Sequence, residues 1–178
     1  GFDAPTSVLE DISGDYTIDA SHSRLGFSAR HAMVTTVRGH FTDWSGTAHV
    51  DTADPAASSV SLTIKAASID TGSADRDGHL VSADFFDAET HPDITFVSTS
   101  VARDGADWAI TGDLTIKGTA RPVTIEFEPT GSAQDPFGNV RIGFEGGEWE
   151  TSIEHTAESL TVALDVVDAS FRKDYLQL

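Results

Sequence analysis

Seven histidines in a chain of 178 residues raise the first chemical question, because imidazole is both a common metal ligand and a base that titrates near neutral pH. Four of them, His22, His31, His40 and His49, recur every nine residues. Along a strand an odd spacing alternates faces, so these four do not converge from one sheet surface. No H-x-x-x-H or H-x-H pair with a neighbouring carboxylate stands at zinc-site spacing. The periodicity reads as coincidence, with His22 and His31 as polar anchors near the start of a strand and His79 and His91 bracketing the Phe85-Phe86 pair. Nucleophilic chemistry fares no better. The chain has no cysteine, no G-x-S-x-G elbow and no phosphate-cradling glycine loop after a strand. Ser, His and Asp are plentiful enough for a triad to assemble in space, but nothing local favours one. Arg24, Arg30 and Arg38 crowd the first strands, where pairing with nearby carboxylates explains them; the functional alternative puts one at a cavity mouth, holding a polar ligand head.

Charge narrows the partners. A formal net charge of −18 repels phosphate backbones, and the few Lys and Arg form no stripe, so nucleic acid and anionic membrane faces are poor partners. The acidity reads as a solubility device, with a docking surface for a basic partner as the alternative. No apolar run approaches the length of a transmembrane helix, so stable membrane insertion is not expected. No basic-plus-apolar leader precedes the domain, which fits a cytoplasmic protein or the mature form of a periplasmic or secreted one and leaves the compartment undecided. Nor can the sequence decide whether the chain forms a homodimer.

With no polar site in evidence, the apolar pattern carries the reading. Residues 1–14 lack a strand period and read as a tail or lead-in to a single domain over 15–178. Beyond them period-two alternation dominates. In "SVSLTIKA", Val60, Leu62 and Ile64 share one face. "WAITGDLTIKG" aligns Trp108, Ile110, Leu114 and Ile116, "PVTIEFE" aligns Val123, Ile125 and Phe127, and "VRIGFE" and "SLTVALDV" repeat the pattern. Strands with one greasy and one wet face are antiparallel strands around a single core. Turn clusters such as "DTADPAAS", "RDGAD", "KGTARP" and "AQDPFGN" separate about eight of them, over 24–34, 37–51, 58–69, 94–103, 107–117, 120–131, 138–154 and 159–169. The expected fold is all-β, an antiparallel barrel of about eight strands, whose interior is just wide enough for side chains or one small ligand.

The exception is roughly 73–88, which has no alternation and reads as a short helical or irregular segment ended by His91-Pro92. Leu80, Phe85 and Phe86 lie there among acids, in "GHLVSADFFDAETHPDITFVS". They plug one end of the barrel as core, form a flexible lid at its entrance, or do both, since a lid packs like core when closed.

Three stretches also carry a family resemblance. "YTIDASHSRLGFSARHAMVTTVRGHFTDWSG", "DGHLVSADFFDAETHPDITFVS" and "GDLTIKGTARPVTIEFE" together resemble the signature of the YceI-like family over about Tyr16 to Gly146. The resemblance implies a lipocalin-like barrel whose tunnel holds an amphiphilic lipid: in known members a polyisoprenoid, an isoprenoid quinone or a fatty amide. Members are mostly bacterial, and the family supplies no catalytic residues to carry over. The carboxy-terminal part departs from the pattern. "GFEG" runs into "GEWETSIEHTAESLTVALDVVDAS", and "FRKDYLQL", similar to the family's N-R-K-D segment, comes only at the end.

The resulting expectation is a non-catalytic carrier or store for an isoprenoid-type lipid, without metal or cofactor. Each buried methylene contributes about 0.8 kcal/mol, so a long tail binds with few polar contacts. The expected wall is Phe27, Met33, Val34, Phe41, Leu62, Ile64, Phe96, Ile110, Leu114, Ile125 and Phe127, with Leu80, Phe85 and Phe86 at the entrance. Two rivals stand beside it: an enzyme acting on a hydrophobic substrate with His22 or His31 as base, and a stress-related interaction protein whose barrel is filled by its own side chains.

Overall fold

The computed structural model describes residues 13–31, 35–134, 140–145, 148–155 and 158–173. Within them the chain forms one antiparallel sheet that meanders and curls. In order the strands are β1 (Gly14–Ile18), β2 (Arg24–His31), β3 (Thr35–Phe41), β4 (Trp44–Val50), β5 (Ser59–Lys65), β6 (Ile69–Asp70), β7 (Asp93–Asp104), β8 (Asp107–Ile116), β9 (Thr119–Gln134), β10 (Val140–Glu145), β11 (Glu148–His155) and β12 (Glu158–Lys173). β1 pairs with both β4 and β12, placing Ile18 opposite Phe171. The path β1-β4-β5-β7-β8-β9-β10-β12 therefore returns to β1 as an eight-strand ring. Closure removes the sheet edges that would otherwise stand exposed. At the other end of the molecule β12 continues onto β2 and, along its opposite edge, onto β11. β2 then pairs with β3, and β3 with the two residues of β6.

Eleven of the twelve segments overlap the eight expected strands, some of which are bent. The second and third expected strands, over 37–51 and 58–69, are each broken once, and residue parity explains where. Inward residues on a straight strand are two apart, yet Phe41 and Trp44 are both buried, as are Ala66 and Ile69. Each odd interval holds one residue too many for alternation, so the strand turns a corner there. The two corners lie side by side and bond each other: the Thr42 amide donates to the Ser68 carbonyl (3.1 Å) and the Lys65 amide to the Asp43 carbonyl (2.9 Å). A third odd interval, Ile18 to Leu25, spans the single turn of 3₁₀ helix at Ala20–His22, capped by the Asp19 side chain. β1 itself was not among the expected strands. Five residues with only Tyr16 and Ile18 inward give too short a period to read.

The non-alternating segment is helix α1 (Ala74–Val81), and it ends well before His91-Pro92. Ser73 caps its first turn, where Asp75 and Asp77 also suit the helix dipole. Ser82 stops it, with both its amide (3.2 Å) and its hydroxyl (2.5 Å) donating to the His79 carbonyl. The amides of Phe86 and Ala88 then donate back to Leu80 and Val81. Local hydrogen bonding thus ends the helix before the proline can, and the fold-back drives Phe85 and Phe86 into the barrel.

Candidate functional site

The structure divides the barrel interior into two halves of different character. Beside α1 it is packed with aromatic rings. Phe86 packs against Phe27, Phe41 and Phe85 with ring centroids 5.5, 6.1 and 4.9 Å apart, and Phe27 stands edge-on to Phe41 at 5.7 Å. These four rings and Leu80 are buried. Leu80, Phe85 and Phe86 thus pack as core, the arrangement common to a plug and a closed lid.

The eight-strand ring encloses a void at the opposite end. Its walls include Ile18, Trp44, Ala48, Val50, Val60, Leu62, Phe96, Val101, Trp108, Ile110, Phe127, Phe144 and Phe171. Among the described residues the polar ones around it are His49, Ser58 and Ser59, which stand at its rim. The cavity proper measures about 50 Å³; counting the interstices between side chains and the part open to solvent, the empty space is about 710 Å³. Leu62 and Phe96 bound it towards the plug. Strand glycines make room for both, since a Cβ on Gly46 would meet Leu62 Cδ2 at 2.4 Å and one on Gly112 would meet the Phe96 ring at 2.6 Å.

Four of the residues expected along the bore, Leu62, Phe96, Ile110 and Phe127, line this void. Ile64, Leu114 and Ile125 are buried in the same core without lining it, and Phe27 and Phe41 belong to the plug. Met33 and Val34 lie outside the described residues, as do the side chains of His22 and His31. Sequence reading missed Trp44, Ala48 and Val50, although "WSGTAHV" alternates buried and exposed throughout. It also missed Phe171, which lies in the displaced "FRK" beyond the expected end of the last strand.

At the end of the β7–β8 hairpin, Arg103 extends the inward row of Val101 and pairs with Trp108. Its guanidinium carbon lies 4.8 Å from the centre of the Trp108 ring, a cation–π distance. The three arginines singled out from sequence are elsewhere, on β2 and β3, where Arg24 and Arg38 are exposed.

A family model described as the YceI-like domain matches residues 16–171. The chain belongs to the YceI-like family. Protein YceI of Escherichia coli O17:K52:H18 is 44% identical over 136 residues, 75% of this chain and 71% of that one. UPF0312 protein plu2095 of Photorhabdus laumondii is 40% identical over the same shares. BcnA of Burkholderia cenocepacia superposes with a TM-score of 0.66 at 27% identity, covering 84% of this chain and 98% of its own. A domain from Saccharophagus degradans, described as polyisoprenoid-binding and implicated in plant cell wall breakdown, shares the fold with a TM-score of 0.54 at 17% identity, over 89% of this chain and 97% of its own.

Among the described residues of this YceI-like chain the one titratable group lining the void, His49, stands at its rim. Among the described residues no group of three or more His, Cys, Asp or Glu is placed to hold a metal. His49 Nδ1 meets Asp15 Oδ1 at 2.8 Å, with both side chains well exposed. Glu126 is more informative. A hydrogen bond and charge repulsion from Asp104 hold its proton affinity above the ordinary glutamate range, with loss of hydration and Asp107 adding to the effect. The native state therefore binds more protons than the unfolded chain just above that range, and stability falls as pH rises through it. Glu126→Gln removes the repulsion. Its Tm is expected to exceed that of the wild type at pH 7 and to match it in acid below the glutamate range. Thermal melts at both pH values test this, and no advantage at pH 7 would refute the like-charge reading.

Proposed function

We propose that this chain binds the hydrocarbon tail of an amphiphilic isoprenoid-type lipid in the ring-enclosed half of its barrel, for transport or storage, and does no chemistry on it. A polyisoprenoid, an isoprenoid quinone or a fatty amide each has the required tail. The observation that carries the reading is the void itself, walled by aromatic and aliphatic side chains with polar residues only at its rim. The YceI-like family assignment and the polyisoprenoid-binding description of the Saccharophagus neighbour support it.

The wall in this proposal is Leu62, Phe96, Ile110 and Phe127 together with Trp44, Trp108, Phe144 and Phe171. Tail burial at about 0.8 kcal/mol per methylene supplies the affinity, less the cost of ordering the chain. A dry void of roughly 150 Å³ holds one benzene ring, so a cavity of about 50 Å³ must widen to load. Phe144 and Val60 are partly buried where the other aromatic and aliphatic lining residues are buried.

Native mass spectrometry of the purified full chain, followed by organic extraction, tests the proposal. The expected result is one lipid per chain that survives purification. Protein that carries no lipid, and takes none up when offered polyprenols, isoprenoid quinones and fatty amides, would favour a barrel filled by its own side chains.

A further inference from the structure

We infer that the void is blind, and that its floor, built by Leu62 and Phe96 with Trp44, limits the tail the protein accepts to about three isoprene units. The inference rests on the lipid-binding reading above and adds to it a length specificity with named determinants.

The first observation is where the lining stops. Leu62 and Phe96 are direct partners across β5 and β7, and both line the void. Ile64 and Ile94, the next inward residues on the same strands and again direct partners, do not. Leu114, opposite Phe96 on β8, is likewise buried without lining it. Trp44, the next inward residue after Gly46 on β4, completes the floor. Neither Leu62 nor Phe96 can swing back against the wall, because each already lies on it. A Cβ on Gly46 would collide with Leu62 and one on Gly112 with Phe96. Behind the floor stand Ile64, Ile94 and Leu114, each at most 1% exposed, and Phe86 packs with Phe27 and Phe41 on the α1 side of the core.

The second observation is depth. Ser58 at the rim and Leu62 at the floor are four residues apart in the chain, about 14 Å at the rise of an extended strand. That stretch is itself about twelve main-chain bonds long, and an extended hydrocarbon advances by nearly the same distance per bond. Each isoprene unit adds four carbons to a tail's main chain, so a farnesyl tail with its head at the wet rim reaches the floor. The walls can part to admit a tail, but the floor can deepen only by displacing fully buried side chains. Further units stay in water and gain nothing.

Alcohols that differ only in tail length isolate the floor. Geraniol, farnesol, geranylgeraniol and solanesol, each offered to delipidated full-length protein, can be followed by native mass spectrometry and by the fluorescence of Trp44 and Trp108. For the wild type, affinity should rise at least about tenfold from geraniol to farnesol and less than about threefold beyond it. Phe96→Ala opens ring-sized room in the floor, and geranylgeraniol should then bind at least about tenfold tighter than farnesol. Leu62→Ala, which empties less of the core, should move the plateau in the same direction. Affinity that keeps climbing about tenfold per unit past farnesol in the wild type, or a plateau unmoved in whichever floor variant folds, overturns the inference while leaving lipid binding intact. If no alcohol of the series binds, the lipid reading fails along with it.

Discussion

Replacing Phe86 with alanine should destabilise the protein by about 3–5 kcal/mol, the upper range for emptying a ring-sized core site. The residue is 1% exposed and touches three other rings, Phe27, Phe41 and Phe85. The size of the loss depends on whether neighbours can close the hole. Phe27 sits on β2, hydrogen-bonded along one edge to β3 and along the other to β12. Phe41 sits where β3 meets β6. Neither backbone can follow a vanished ring inward without breaking ladder bonds, so the cavity persists and the full cost is felt. Phe85 supplies the comparison. It is 7% exposed and packs its ring against Phe27 and Phe86, on a turn that can relax. Phe85→Ala should therefore cost less. Urea titrations of both variants, read as shifts in midpoint at constant slope, test the ranking. Equal losses, or a Phe86→Ala loss below about 1 kcal/mol, would mean that the plug is soft.

This plug shows what sequence reading can and cannot reach. The apolar character of Phe85 and Phe86 was plain among their acidic neighbours, but their partners were not. Ring contacts with Phe27 and Phe41 join segments more than forty residues apart in the chain, and no local period reports such a distance. The fold was more legible, because alternation in β5, β8 and the part of β9 paired with β8 is uninterrupted and each reports its own inward face. Corners were lost for the opposite reason. At Phe41–Trp44 the parity breaks, and a pattern search smooths over a break that marks a bend.

The candidate site followed the same rule. Leu62, Phe96, Ile110 and Phe127 were found because alternation puts them inward. Dividing the interior into a void and a plug needed closure, and closure depends on Ile18 meeting Phe171 across the whole length of the chain. Arg103 illustrates the point most sharply. By composition it is one arginine among several, and only the β7–β8 register sets it over Trp108.

Lipid loading should be the largest single change in stability available to the folded protein. A ligand that binds only the native state adds about 4.1 kcal/mol when present at a thousand times its Kd. Here the dependence is strict, since the void exists only while β1 and β12 hold the ring closed. Adding farnesol or a longer polyprenol to delipidated protein is therefore expected to raise Tm in a concentration-dependent way. Because the wall is apolar, the gain should change little with salt, unlike one built on exposed charges, and calorimetry should record a negative heat-capacity change on binding. The tightness of the empty cavity adds a kinetic mark. Lining rings must move aside before a tail can enter, so association should be far slower than diffusion. A chain whose interior is merely core would show no shift in Tm at any lipid concentration. Lipid adsorbed to the outside would bind fast and leave Trp44 and Trp108 fluorescence unchanged. Only entry into the ring combines slow uptake, a salt-independent rise in Tm and a changed tryptophan signal.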